Sequence, residues 1–168
     1  MNVPGLTIQQ VASHLQKFKL HLKRATEENK KSKVGKKKIK MGWVLVMDRD
    51  TITLNSIMEM CIRCNYLVTT CCNASFALNF LKKIKNLYDV ILIEAQMPDM
   101  NSYHFLQHVT QQIKIPVIMM CVDQSITPSL MMKAIEKGAY GYWIKPLSEG
   151  QINNIWQHVV RKVLKENN

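Results

Sequence analysis

From Trp43 onward, apolar runs of strand length alternate with amphipathic segments of helix length. The runs are 43–47, 66–71, 89–93, 115–120 and 140–144; the segments are 51–64, 74–86, 102–113, 126–138 and 148–165. An apolar run without polar alternation belongs to a strand buried on both faces, as in a parallel sheet covered by helices. The alternation of the two patterns predicts parallel βαβ units. Five such units fit a doubly wound, three-layer α/β sandwich. Gly138 follows one helical segment, and Pro116 and Pro146 stand outside helices, as helix-stop chemistry requires. On the last segment Ile152, Ile155, Trp156, Val159 and Val163 recur at helical spacing and read mostly as a core stripe.

The first 41 residues follow a different rule. Val3-Pro4-Gly5 is a turn, and Thr7 with Gln10 fits a capping box that opens a helix over 7–24. Ile8, Val11, Leu15, Phe18 and Leu22 make one apolar stripe on it. A lone helix of this length is marginal in water and needs a partner. Residues 25–41 are Lys-rich and poor in apolar side chains, the composition of a flexible linker. The expected organisation is therefore a helical arm (1–24), a basic linker (25–41) and one α/β domain (42–166).

Charge separates the same parts. The 168-residue chain has a net charge of +11, yet residues 1–40 hold 11 Lys/Arg against 2 Glu, and the rest holds 12 against 10 acids. A basic run of this density points to nucleic acid or an anionic surface; a solvated linker or a nuclear-import patch accounts for it equally well. Lys17, Lys19, Lys23 and Arg24, with His14 and Gln16 beside them, are the candidate nucleic-acid contacts. No run of 18 apolar residues occurs, so no membrane span is expected. Nor does the N-terminus carry the apolar stretch of a secretory signal. Cys61, Cys64, Cys71, Cys72 and Cys121 then read as reduced, structural thiols. The first two fall in a helical pattern, and Cys71 and Cys72 point to opposite faces of a strand, so four ligands do not converge on zinc. The five histidines are scattered over helical segments without a general-base partner.

Five residues follow the apolar runs directly or belong to their ends: Asp48, Arg49, Glu94, Cys121 and Lys145. In an open α/β sheet the carboxyl ends of the strands share one rim, where ligands and chemistry collect.

The stretches around that rim carry a resemblance. Val44-Leu45-Val46-Met47-Asp48-Arg49-Asp50 resembles the opening strand of response-regulator receiver domains, and Asp89 through Met100 resembles their phosphoacceptor strand and loop. Ile115 through Cys121 and Gly138 through Pro146 resemble their last two strands. The resemblance covers about 42–166 and is similar to plant receivers in particular. It implies a flavodoxin-like receiver with strand order 2-1-3-4-5 and a partner face on the fourth helix, fifth strand and fifth helix. Tyr142 matches the switch aromatic of that face, with Trp143 beside it; Lys133 and Arg161 are further candidates to reach a partner. Met1 through Thr7 and Val11 through Leu20 resemble the turn and recognition helix that end the plant Myb-like (GARP) DNA-binding domain. The earlier helices of that domain are absent from the sequence, as in a truncated gene.

By the same resemblance, an active receiver holds a divalent metal between an acidic pair and an acceptor Asp, with a hydroxyl and a Lys on the phosphoryl oxygens. Asp48 matches the first acid. Arg49 stands where the second would be, and a cation there removes a hard oxygen ligand. Glu94 stands at the acceptor place but is one methylene longer, and transfer tolerates misplacement poorly. Cys121 replaces the hydroxyl with a weak donor. Lys145 is kept, followed by Pro146, a cis peptide in many relatives. These departures predict a pseudo-response regulator: no phosphotransfer, no catalysis, no cofactor and no metal. The expected site is an internal ion-pair cluster of Asp48, Asp50 and Glu94 against Arg49 and Lys145. The resemblance places such a protein in the nucleus, in phosphorelay or clock-related transcription control. Expected partners are signalling or transcription proteins, such as histidine phosphotransfer proteins or other receivers, with weak DNA contact through the arm. The alternative is a DNA-binding transcription factor remnant of the B-type regulator kind.

Overall fold

The computed structural model describes residues 42–84, 87–122, 126–155, 157 and 158. These lie within one compact unit, Lys40–Asn168. The arm, the linker and their candidate contacts His14, Gln16, Lys17, Lys19, Lys23 and Arg24 lie outside the described residues, as does Arg161.

Five strands form one sheet in the order β2-β1-β3-β4-β5. They are β1 (Gly42–Met47), β2 (Tyr66–Cys71), β3 (Val90–Glu94), β4 (Val117–Val122) and β5 (Gly141–Lys145). Every neighbouring pair is parallel, with Val44 beside Val68 and Val90, Leu92 beside Ile118, and Cys121 beside Ile144. The helices are α1 (Thr51–Arg63), α2 (Ala74–Lys83), α3 (Ser102–His108), α4 (Pro128–Glu136) and α5 (Glu149–Asn153). A π-helical turn over Val109–Ile113 continues α3, so the helical pattern at 102–113 is one element with two pitches.

Strand alternation sends neighbouring residues to opposite faces. Val44, Val46, Val90, Leu92, Ile118 and Met120 meet Leu54, Ile57 and Cys61 of α1, together with Ile152 and Ile155 near α5. Leu45, Met47, Ile91, Ile93 and Met119 point the other way and are equally buried. Leu81 of α2 and Phe105 and Leu106 of α3 are buried too. Both faces are therefore dry, which is why the strands read as unbroken apolar runs.

Each helix start is fixed locally. Asp50 caps α1, Asn73 caps α2, Asn101 caps α3 and Thr127 caps α4, each accepting from amides of the first turn. Ser148 and Gln151 form a capping box at α5. Asp99 adds a long-range cap by accepting from the amides of Ala74 and Ser75 at 3.1 and 2.8 Å. Its burial works against ionisation, but these amides outweigh it and lower its pKa. This ties the loop after β3 to the start of α2. Gly138 ends the α4 turn at φ +105°, where a Cβ would stand 2.8 Å from Thr110 Oγ1. That hydroxyl is already committed to the carbonyls of Leu106 and Lys137.

Among the described residues no helix is long and apolar enough to cross a membrane. All five cysteines are free thiols; Cys61, Cys64 and Cys121 are buried, and Cys72 is exposed. No group of three or more His, Cys, Asp or Glu side chains gathers as a metal site among the described residues.

Candidate functional site

The carboxyl ends of β1, β3 and β5 deliver Asp48, Glu94 and Lys145 to one place, next to the β1/β3 boundary where strand order reverses. Asp48 is fully buried and Glu94 is 4% exposed. The Lys145 ammonium lies between them, donating to Asp48 Oδ2 at 2.7 Å and to Glu94 Oε2. Both other carboxylate oxygens accept backbone amides: Asp48 Oδ1 from Asp50 at 2.9 Å, and Glu94 Oε1 from Gln96 at 3.3 Å. Burial works against the charge of Lys145, but the hydrogen bonds and charges of Asp48 and Glu94 outweigh it and raise its pKa. Two anions and one cation thus form a closed triad in which every carboxylate oxygen has a donor.

Above the triad opens a cavity of about 430 Å³. Arg49, Asp50, Gln96 and Pro146 line it with the triad, and so do the exposed apolar side chains Ile52 and Val122. The Lys145–Pro146 peptide is cis.

This geometry corrects the expected five-charge cluster. Asp50 lies outside the ion-pair core, as the N-cap of α1: it accepts from the amides of Ile52 and Thr53 and from the Thr53 hydroxyl at 2.6 Å. The Thr53 hydroxyl is the chief reason its pKa is lowered. Arg49 lines the mouth, is exposed, and makes no ion pair with a carboxylate among the described residues. The physical reason is helix geometry: the cap turns Asp50 onto its own helix, and a surface guanidinium gains little from giving up water. Cys121 also falls outside the cavity lining. Its neighbour Met120 packs on the α1 side, so alternation turns the thiol to the opposite face. There it faces the hydroxyl of Tyr142, which burial, the Cys121 thiol and Tyr103 hold well above the ordinary phenol range. Trp143 points back to the α1 side, near the His158 ring at 6.2 Å. Lys133 sits with its ammonium 4.5 Å over the Tyr103 ring.

Two contributors escaped the sequence reading. Ser102 is buried, and its hydroxyl donates to the Glu94 carbonyl at 2.8 Å while accepting from the Met97 amide at 3.3 Å. It pins the loop that carries Glu94. The signal was faint: a Ser just inside a helix start reads as capping. Tyr103 was missed because an aromatic on an amphipathic helix reads as core.

Residues 44–157 match the family described as the response regulator receiver domain. The chain belongs to that family. Among its relatives are two-component response regulators of plants. ORR26 of Oryza sativa subsp. japonica is 40% identical over 73% of this chain and 21% of its own length. ARR2 of Arabidopsis thaliana is 42% identical over 73% of this chain and 18% of its own. The chain thus spans about a fifth of the length of the curated relatives it matches. The signal receiver domain of a Luxo repressor protein from Vibrio parahaemolyticus superposes with a TM-score of 0.66 at 20% identity, covering 74% of this chain and 95% of that one. A response regulator receiver domain protein from Clostridium thermocellum gives 0.62 at 17% identity, covering 74% and 96%. These structures share the receiver fold: the five-stranded parallel sheet in order 2-1-3-4-5.

The resemblance to receivers implies a divalent cation at this rim, and the residues present do not fit one. A hard cation needs open carboxylate oxygens. All four oxygens of Asp48 and Glu94 are taken, two of them by an ammonium, and Arg49 brings a second cation to the mouth.

Proposed function

We propose that this receiver is a pseudo-response regulator, a domain that does not carry phosphoryl groups and acts by protein contact. One observation carries the reading: the Lys145 ammonium already fills the space between Asp48 and Glu94. Catalysis of phosphoryl transfer rests on positioning and on charge stabilisation of the transferred group. Here the lysine that would meet the group is spent on two resident carboxylates. Glu94 reaches Lys145 with an oxygen, as a phosphoryl group on a shorter side chain would, so the domain holds one state without a signal. Its setting is phosphorelay and transcription control in the nucleus, in a clock-related or cytokinin-type pathway. Its partners are histidine phosphotransfer proteins, other receivers or transcription proteins.

The test is incubation of the full chain with a labelled histidine phosphotransfer protein and Mg²⁺. No stable label is expected on the wild type, whereas Arg49→Asp with Glu94→Asp is expected to gain Mg²⁺ affinity and label. Stable label on the wild type would overturn the reading. Cys121→Ser added to that pair should change little, because Cys121 faces away from the cavity.

The basic arm supports a second activity. With 11 Lys/Arg against 2 Glu in residues 1–40, weak contact with nucleic acid is expected through phosphates alone, with an affinity that falls steeply with salt. The resemblance of residues 1–20 to the end of a Myb-like domain would instead give sequence discrimination. Titration of matched and scrambled duplexes at two salt concentrations separates the two, since only specific binding retains a preference at high salt.

A further inference from the structure

Helix α4 turns its apolar side outward. Pro128, Met131, Met132 and Ile135 recur at i, i+3, i+4 and i+7, one stripe along the helix. Such a stripe normally faces the core, yet the only buried residue of α4 is Ala134. Met131 is 40% exposed, Met132 59% and Ile135 51%. Ile144, 47% exposed, lies on edge strand β5 and alternates to the same face as Tyr142, the side of the sheet that carries Tyr103 and α4. Together these side chains expose apolar surface on the order of 400 Å², a size at which patches mark interaction sites.

The charges beside the stripe say what covers it. Glu136 is exposed near the C-terminus of α4, Lys133 is exposed on the same flank, and the first turn holds no acidic residue. The rim is therefore close to neutral and suits neither a strongly acidic nor a strongly basic partner. It does suit itself. Two α4 helices laid antiparallel about a two-fold axis between Met131 and Met132 would bring Met131 against Met132 of the second copy, and Ile135 against Pro128 of the second copy. Glu136 then reaches the amide-rich N-terminus of the second copy's α4, where a negative charge is favoured, and Lys133 falls opposite Leu130 rather than opposite another cation. An isologous contact of this kind is self-complementary by construction.

We propose that the exposed face of α4, with Ile144 at its margin, is a homodimer contact between two copies of this chain. At roughly 800 Å² in total it lies below the standard interface size and makes a transient dimer. The contact is independent of whether the ion triad silences the pocket.

The test is sedimentation velocity on the full chain over a concentration series from about 5 to 500 μM, at about 0.15 M salt to screen the basic arms. The wild type is expected to shift reversibly toward dimer across that range. Met132→Glu places a charge at the two-fold and should weaken the dimer at least tenfold. Glu136→Lys should weaken it less, by removing the charge at the helix N-terminus. Both positions are exposed, so far-UV circular dichroism should stay unchanged. A wild type that remains monomeric throughout, or a dimer that Met132→Glu leaves intact, would overturn the proposal.

Discussion

Replacing Lys145 by Met keeps most of the side-chain volume and deletes the charge. It leaves Asp48, fully buried, beside Glu94, 4% exposed, with no cation between them. Breaking a buried ion pair from one side costs about 3–5 kcal/mol, because the remaining charge is buried without compensation. A second route gives a similar figure. If one carboxyl escapes by taking up a proton at pH 7 against an ordinary value near 4, about three pKa units at 1.36 kcal/mol each cost about 4 kcal/mol. Against a total stability of roughly 5–15 kcal/mol for a domain, that is a large share. The second route also fixes the pH dependence. Protonation becomes cheaper by about 1.4 kcal/mol per unit as pH falls, so the loss at pH 5 should be about 3 kcal/mol smaller than at pH 7. The assay is urea denaturation of the full chain and of Lys145→Met at both pH values, followed by far-UV circular dichroism. Adding Asp48→Asn and Glu94→Gln to Lys145→Met should recover much of the loss at pH 7, because no buried charge remains. A loss below about 1 kcal/mol at pH 7, or one equal at both pH values, would refute the claim that the triad is a buried, mutually dependent unit.

Three further outcomes are expected. Burial, aided by the Cys64 thiol, pushes the Cys61 thiol from 9.0 up to about 12, so the folded state keeps a proton that the unfolded chain releases; stability should fall between pH 9 and 12, by about 1.4 kcal/mol per unit from this group. Denaturation curves over that range should show a shallower decline for Cys61→Ala than for the wild type. Gly138→Ala forces an L side chain into φ +105° and toward Thr110 Oγ1 at 2.8 Å; a loss of about 2 kcal/mol or more is expected, read as a drop in thermal midpoint, and no loss would show that the turn adjusts. Ser102→Ala strands the Glu94 carbonyl and the Met97 amide, which should cost about 1–3 kcal/mol in chemical denaturation and loosen the loop, visible as faster hydrogen exchange at Met97.

Local chemistry was enough for the scaffold. Apolar runs such as Val44–Met47 and Val90–Ile93 are unbroken because both faces of those strands are buried, and the helix starts at Asp50, Asn73, Asn101, Thr127 and Ser148 are capping residues in place. These are short-range effects, within a few residues of the element they create, and so they can be read from one chain. The rim residues Asp48, Glu94 and Lys145 follow from the same logic, since each stands at or just past the end of a parallel strand. The apportioning of partners among them did not follow. Whether Asp50 pairs with a cation or caps α1 depends on the first turn of that helix. Whether Cys121 faces the cavity or Tyr142 depends on the strand's phase at its last residues, where one position reverses the face. Which cation holds Asp48 and Glu94 depends on the register of β5, almost a hundred residues away along the chain. Nor did the spacing of Met131, Met132 and Ile135 reveal that α4 turns its stripe outward, because a helical pattern fixes a face and not what lies against it. The sequence determined the strands, the helices and the set of charged side chains at one rim; the tertiary structure decided which of them touch, because contact is set by phase and register over long separations and not by the identity of a residue's neighbours.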